Sequence, residues 1–264
     1  MNHKIIKYGL IIFSLALLTR IVYAFLFVES EYLFTEDQAI YIELAQNLTD
    51  SGILGLTPER TPGYPLFIAS IYSIFGEATW NVVLVQILLD SISCIVISII
   101  AYSLFDKGFL IAGVLSSFNL NMIILSSTLL PDTLFLFLFI LFLYSFLQYL
   151  KNKSIRWFFF MAIFISLATL VRPSSYYLLP VLLVGLISWR LWKRDAIIKI
   201  SILVTLYILV VGVLLGGIHH RNYQQYGSTS FTSNTGSHLL NWVVPATYQY
   251  SGQGSYQEGQ KLAR

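Results

Sequence analysis

The chain has 264 residues, of which 56% are hydrophobic and only 11% charged, with a formal net charge of +3. A soluble domain of this size would leave much of that apolar surface facing water, so the composition calls for lipid as the solvent. Basic residues are not interleaved with aromatics in any polar stretch, so no nucleic-acid partner is expected; the single cysteine, Cys94, rules out a disulfide framework or a thiol metal cluster.

A spanning helix needs about 20 apolar residues, at ~1.5 Å each, to cover ~30 Å of hydrocarbon. The N-terminal run MNHKIIKYGLIIFSLALLTRIVYAFLFV places basic residues ahead of an apolar stretch. That stretch is longer than the ~7–15 residues of a signal-peptide core, and it lacks a clear small-x-small cleavage site. Residues 5–28 are therefore read as a retained first span with a cytoplasmic N-terminus. Further spans are expected at 80–105, 109–130, 133–150, 157–171, 175–187 and 197–218. Arg20 and Asp90 fall inside predicted spans. Each would be unfavourable by roughly 2.5–3.5 kcal/mol at the centre of an isolated helix, so each is expected to face the bundle, as a structural pair or along a substrate path.

Between the first two long spans lie two shorter segments. In TEDQAIYIELAQNL, Thr35 and Gln38 fit a capping box, and Asp37, Ile40, Tyr41, Leu44 and Leu48 fall on one face of an amphipathic helix suited to the interface. Then ERTPGYPLF sets Glu59 and Arg60 against the apolar stretch 65–75. With its flanks that stretch reaches about fourteen residues, ~21 Å as a helix, too little to cross. Basic residues give an independent check, because cytoplasmic loops are enriched in Lys and Arg. If 65–75 stays on one side, ten of the sixteen basic residues fall in the cytoplasm, including those of KNKSIR and WRLWKRDAIIK; if it crosses, those loops flip outward. The first arrangement is the expected one, giving about seven transmembrane helices with juxtamembrane helices in an exterior loop, 29–79. The transmembrane module is expected over 1–218, and the polar segment 219–264 is expected outside.

This topology brings Asp37, Glu59, Arg60, Asp132, Arg172 and Arg221 to one exterior face. In LLPDTLF, Pro131 suits a first helical position and Asp132 follows at the start of a span. Asp37 and Asp132 are each either plain helix-start acids, favoured by the helix dipole, or functional groups at a water–lipid boundary. In VRPSSYYLLP, Arg172 ends a span before a proline. Arg60 and Arg172 either snorkel to the headgroups or form an anion site, since the guanidinium fork fits phosphate oxygens. His219 and His220 are adjacent, about 100° apart on a helix, and grip one metal poorly. No cofactor is called for, and a divalent metal has no support in the spacing.

Taken in order, EDQAIYIELAQNL, ERTPGYPLF, PDTLF, ATLVRPSSYYLLP and RNYQQYGSTSFTSNTGSHLL resemble the GT-C glycosyltransferases. The resemblance is nearest to the dolichyl-phosphate-mannose protein mannosyltransferase-like group and the lipid A aminoarabinose transferases, and runs from about Asp37 to Leu240. It implies a GT-C-like helical bundle in the cell (inner) membrane. The implied activity transfers a sugar from a polyprenyl-phosphate donor to a glycan, lipid or protein acceptor on the exterior side. It maps a general base onto Asp37, a second acidic position onto Asp132, the basic residue before the proline turn onto Arg60, and the arginine-proline after the fifth span onto Arg172. Glu59, Arg60, Tyr41, Arg172 and Arg221 are expected to bind the substrate and its phosphate. The chain departs from the pattern at Gln38, where many relatives carry a second acid, and in stopping soon after its last expected span. Two alternatives accompany this reading: a transporter or flippase of lipid-linked precursors, and a truncated, non-catalytic fragment.

Overall fold

The structure, a computed structural model, describes residues 3–27, 36–52, 59–233, 236 and 238–263. Helices follow one another as α1 (His3–Phe27), α2 (Glu36–Ser51), α3 (Gly63–Phe75), α4 (Thr79–Phe105), α5 (Phe109–Ser117) and α6 (Leu120–Ser126). They continue as α7 (Asp132–Asn152), α8 (Ile155–Val171), α9 (Leu178–Trp192), α10 (Ile197–Tyr226), α11 (Val244–Tyr250) and α12 (Tyr256–Leu262). No strand occurs among the described residues. The chain divides into two units: Met1–Gly55 with Pro62–Leu215, and Leu56–Thr61 with Gly216–Arg264.

The protein is an all-α membrane bundle. Among the described residues, five segments are long and apolar enough to cross a bilayer: α1, α4, α7, Pro173–Trp192 and α10. Their outward faces carry large apolar side chains such as Phe25, Val213 and Ile197, which lipid solvates and water would not. The stretch 109–130, expected as one span, is instead broken: α5 and α6 meet at a 54° bend, and count as a sixth crossing only if the pair is taken together. Asn119 causes the break. Its backbone is extended and its side-chain oxygen accepts from the Met122 N–H at 3.1 Å, so it starts a new helix where the first has ended.

A break inside lipid exposes the last carbonyls of α5, and those must find donors within the protein. Arg20 of α1 supplies them. Its guanidinium donates to the carbonyls of Ser117 (2.6 Å) and Ser116 (3.1 Å), while its Nε donates to Asp90 Oδ2 at 2.7 Å. Both side chains are fully enclosed, 0% and 1% exposed. Of the two readings open for Arg20 and Asp90, the geometry is that of a structural pair: the arginine caps the broken helix and the aspartate balances its charge. Cys94, also buried, completes the pocket at 3.4 Å from Nη2.

The first unit also shows why α3 does not traverse it. Phe25 near the end of α1 meets Trp80 at the start of α4, ring centroids 5.2 Å apart, so the chain leaves and re-enters the bundle at one end. The N-terminus of α3 is at that end too. A Cβ on Gly63 would lie 2.6 Å from the carbonyl carbon and oxygen of Leu170, so only glycine lets α3 approach the last turn of α8 this closely. In α2, the Thr35 cap lies outside the described residues. Its buried face is led by Gln38, with Tyr41, Leu44 and Ala45; Asp37 is half-buried and Ile40 exposed, a rotation from the expected face that follows from Gln38 being drawn inward. Pro131 is the N-cap of α7 and Asp132 its first residue, one position on from the expected placing.

Candidate active site

Four helix termini of the first unit converge on one hydrophobic cluster containing Tyr41, Tyr64, Leu129, Leu134 and Val171. Around it sit the polar groups. Pro173 disfavours helical backbone at the residue before it, so Arg172 is extended (φ −134°, ψ 123°) and α8 stops at Val171. The turn beyond is fixed by Ser175, whose hydroxyl lies 2.9 Å from that of Thr169 and donates to the Arg172 carbonyl at 3.3 Å. Arg172 thus points back across the α7–α8 hairpin, where its Nη1 pairs with Asp132 Oδ1. The two side chains stay 43% and 26% exposed, at the rim and open to ligand.

The segment that delivers Asp132 is held by two glutamines. Gln38 of α2 accepts from the Leu129 N–H through Oε1 at 3.0 Å. Gln86 of α4 donates to the carbonyls of Ser126 (3.2 Å) and Thr128 (2.7 Å), and its own Oε1 accepts from the Tyr64 hydroxyl at 2.7 Å. Burial holds the Tyr64 phenol well above its ordinary pKa, with Tyr41, Tyr72 and Asp132 pushing the same way, so it remains a neutral donor. Tyr41 lies edge-on to Tyr64, centroids 5.0 Å apart.

Of the residues expected at the site, the first unit thus brings Asp132, Arg172 and Tyr41 around this convergence. Asp37 is at the head of α2, next to the glutamine that grips Leu129. Glu59, Arg60 and Arg221 belong to the second unit. There the Glu59 carbonyl accepts from Thr232 Oγ1 at 3.3 Å, and Arg221 donates through Nε (3.0 Å) and Nη2 (2.6 Å) to Asn222 Oδ1. His219 Nδ1 is 2.7 Å from the Thr229 carbonyl oxygen, which ties that ring nitrogen to backbone.

Sequence reasoning missed Tyr64, Gln86 and Thr133. Thr133, beside Asp132, is 2% exposed with a hydroxyl that has no hydrogen-bond partner. The GY of ERTPGYPLF was a usable signal for the close approach at Gly63 and the inward tyrosine after it; Gln86, alone in an apolar run, was another. Chemically, the arrangement offers a carboxylate and a guanidinium at an open rim and further carboxyl capacity at the head of α2. Such a set can orient a hydroxyl and balance a phosphate.

A family model described as dolichyl-phosphate-mannose-protein mannosyltransferase matches residues 59–215. No curated protein matches the chain.

Proposed function

The chain belongs to the dolichyl-phosphate-mannose-protein mannosyltransferase family, and on that premise we propose that it transfers a sugar from a polyprenyl-phosphate donor to an acceptor hydroxyl at the exterior face of the cell membrane. Membership makes it a multi-pass membrane glycosyltransferase in general terms; donor, acceptor side and mechanism are our reading. Our reading counts seven crossings, with the α5–α6 pair and the 17-residue α8 among them, and takes the N-terminus as cytoplasmic from the distribution of Lys and Arg, which leaves the convergence of α2, α3, α7 and α8 outside.

In this mechanism Asp37 accepts the proton of the acceptor hydroxyl as its oxygen attacks the anomeric carbon. The bond from that carbon to the phosphate oxygen breaks, its electron pair leaves with the polyprenyl phosphate, and the anomeric centre inverts. A carboxylate at a helix start is a weak base, so most of its effect is orientation of the nucleophile. Asp132 fixes one edge of the Arg172 fork, leaving the other N–H groups to meet charge growing on the departing phosphate. Glu59, Arg60 and Arg221 are proposed, on their sequence match alone, to serve the donor. The interfacial helix α3 lets the prenyl tail stay in lipid while its phosphate reaches the rim.

The observation carrying this reading is the Asp132–Arg172 pair, formed between residues picked out for opposite charges in separate motifs. It does not favour a transporter, and the Arg20–Asp90 pair is already engaged by α5. The test is transfer from labelled polyprenyl-phosphate sugars by the full chain in vesicles. Asp37→Asn is expected to lower the rate roughly 10²–10⁴-fold; equal transfer by that variant removes Asp37 from the role. Donor translocation without product overturns the transferase reading.

A further inference from the structure

Sugar transfer as read above needs Asp37, at the head of α2, and Asp132, at the head of α7, around one acceptor hydroxyl and one departing phosphate. Asp132 is delivered by the link 127–131 between α6 and α7. Ser127, Thr128 and Leu129 of that link are only 2%, 5% and 1% exposed. Backbone buried this deeply must find hydrogen-bond partners, and the helices that supply them decide where the link is held. Gln86 of α4 meets the Ser126 and Thr128 carbonyls with its amide N–H groups, while Tyr64 of α3 donates to its amide oxygen. The Leu129 N–H goes to α2 instead, donating to Gln38 Oε1 at 3.0 Å.

That bond joins the two acids by a short path. Gln38 follows Asp37 directly, and Leu129 lies three residues before Asp132. Pro131 stands between them with its ring-fixed φ of −67°, and Asp132 in turn holds Arg172. From Asp37 to Arg172 the path therefore runs through eleven atoms' worth of no free loop: each step is a chain neighbour or a side-chain hydrogen bond. Tyr41 and Ala45 also pack α2 into the shared apolar cluster. Apolar contact is non-directional, however, and leaves the rotation and height of a helix loosely set, whereas a hydrogen bond fixes both. Gln38 itself is 6% exposed, walled off from the rim, so it acts on a substrate only through its neighbours.

We propose that Gln38 is a positioning residue, whose bond to Leu129 sets the reach from the Asp37 carboxylate to the Asp132–Arg172 pair. The role rests on the transferase reading and assigns within it the part that keeps the two acids in register. Misplacement by about 1 Å is enough to slow an enzyme on the order of 10²-fold. Loss of this bond should therefore appear in kcat, while binding of the donor at the exposed rim persists.

The test uses the full chain in vesicles with labelled polyprenyl-phosphate sugar. Gln38→Met keeps the length of the arm without its oxygen, and Gln38→Asn keeps the amide on an arm one methylene shorter. Each is expected to lower kcat roughly 10–100-fold with the donor KM unchanged within about twofold. In an Asp132→Asn background the loss from Gln38→Met should shrink, since the two act as a unit. Nitroxides on Glu43→Cys and Ser174→Cys, both exposed positions, read the geometry separately: their distance distribution by pulsed dipolar spectroscopy should broaden when Gln38→Met is added. Full kcat in both Gln38 variants, with Asp132→Asn slow, overturns the proposal and leaves the transferase reading standing. A loss confined to KM overturns it in favour of direct contact with substrate, and losses that multiply in full with Asp132→Asn overturn it in favour of an independent effect. An unchanged distance distribution overturns the strut itself, whereas a parent that transfers no sugar overturns the reading beneath it and the kinetic role together.

Discussion

Replacing Arg20 with Met strips the donors from two carbonyls and the counter-charge from Asp90 at once. A buried carboxylate whose partner is removed destabilises by roughly 3–5 kcal/mol. The carbonyls of Ser116 and Ser117 add about 1 kcal/mol each, since hydrogen bonds between helices in a membrane fall at the weak end of the usual range. The single variant should therefore lose about 5–7 kcal/mol. Asp90→Leu leaves the guanidinium on its carbonyls but without its counter-ion, and should lose about 3–5 kcal/mol. The double variant, Arg20→Met with Asp90→Leu, removes both charges and should recover all but the roughly 2 kcal/mol of the two carbonyls. Unfolding of the detergent-solubilised protein by increasing sodium dodecyl sulfate measures all three. A double variant as stable as the parent refutes the capping role and leaves a simple ion pair; one no better than Arg20→Met refutes the charge balance.

Arg172→Lys keeps the charge at the rim but loses the fork, and with a half-exposed pair worth about 0–1 kcal/mol, Tm should hardly move. Transfer should nonetheless fall roughly 10²-fold, a split between activity and stability that a merely structural pair does not produce. Gly63→Ala pushes a methyl into the Leu170 backbone, which no rotamer change relieves, and should cost about 1–3 kcal/mol by thermal unfolding; an unchanged Tm contradicts the close approach. At Ser255 the capping box holds the Glu258 carboxyl below its ordinary pKa through the Ser255 backbone N–H and hydroxyl. Its contribution to α12 is therefore complete above the unfolded value of about 4.3 and is lost as pH falls through the lower folded one. Hydrogen exchange over Tyr256–Leu262 should be flat in protection from pH 7 to pH 5 and weaken below about pH 4, with Glu258→Gln removing that step.

What could be read from the sequence followed physical scale. The shortness of 65–75 is a length argument, and it located a helix that does not traverse the bundle. The types and positions of Asp132 and Arg172 were legible because charge is rare here and both flank prolines. Their pairing was not, since it depends on how α7 and α8 turn back on each other. Arg20 and Asp90 are 70 positions apart, and nothing local says that one caps a helix broken at Asn119. That break had a local signal, the N-capping asparagine in SSFNLN, but the apolar run around it outweighs one residue in any window average. The rotation of α2 was hidden for the opposite reason: a polar Gln38 turns inward because its amide has a backbone N–H to meet.

The braces on the 126–129 link are amides and a phenol, none of which changes charge over the range in which carboxylates titrate. Acidification therefore leaves the scaffold under Asp132 standing. A pH–rate curve for this enzyme would then report protons moving on its acids and its substrate, and the steepness of its acid limb would count how many of them matter.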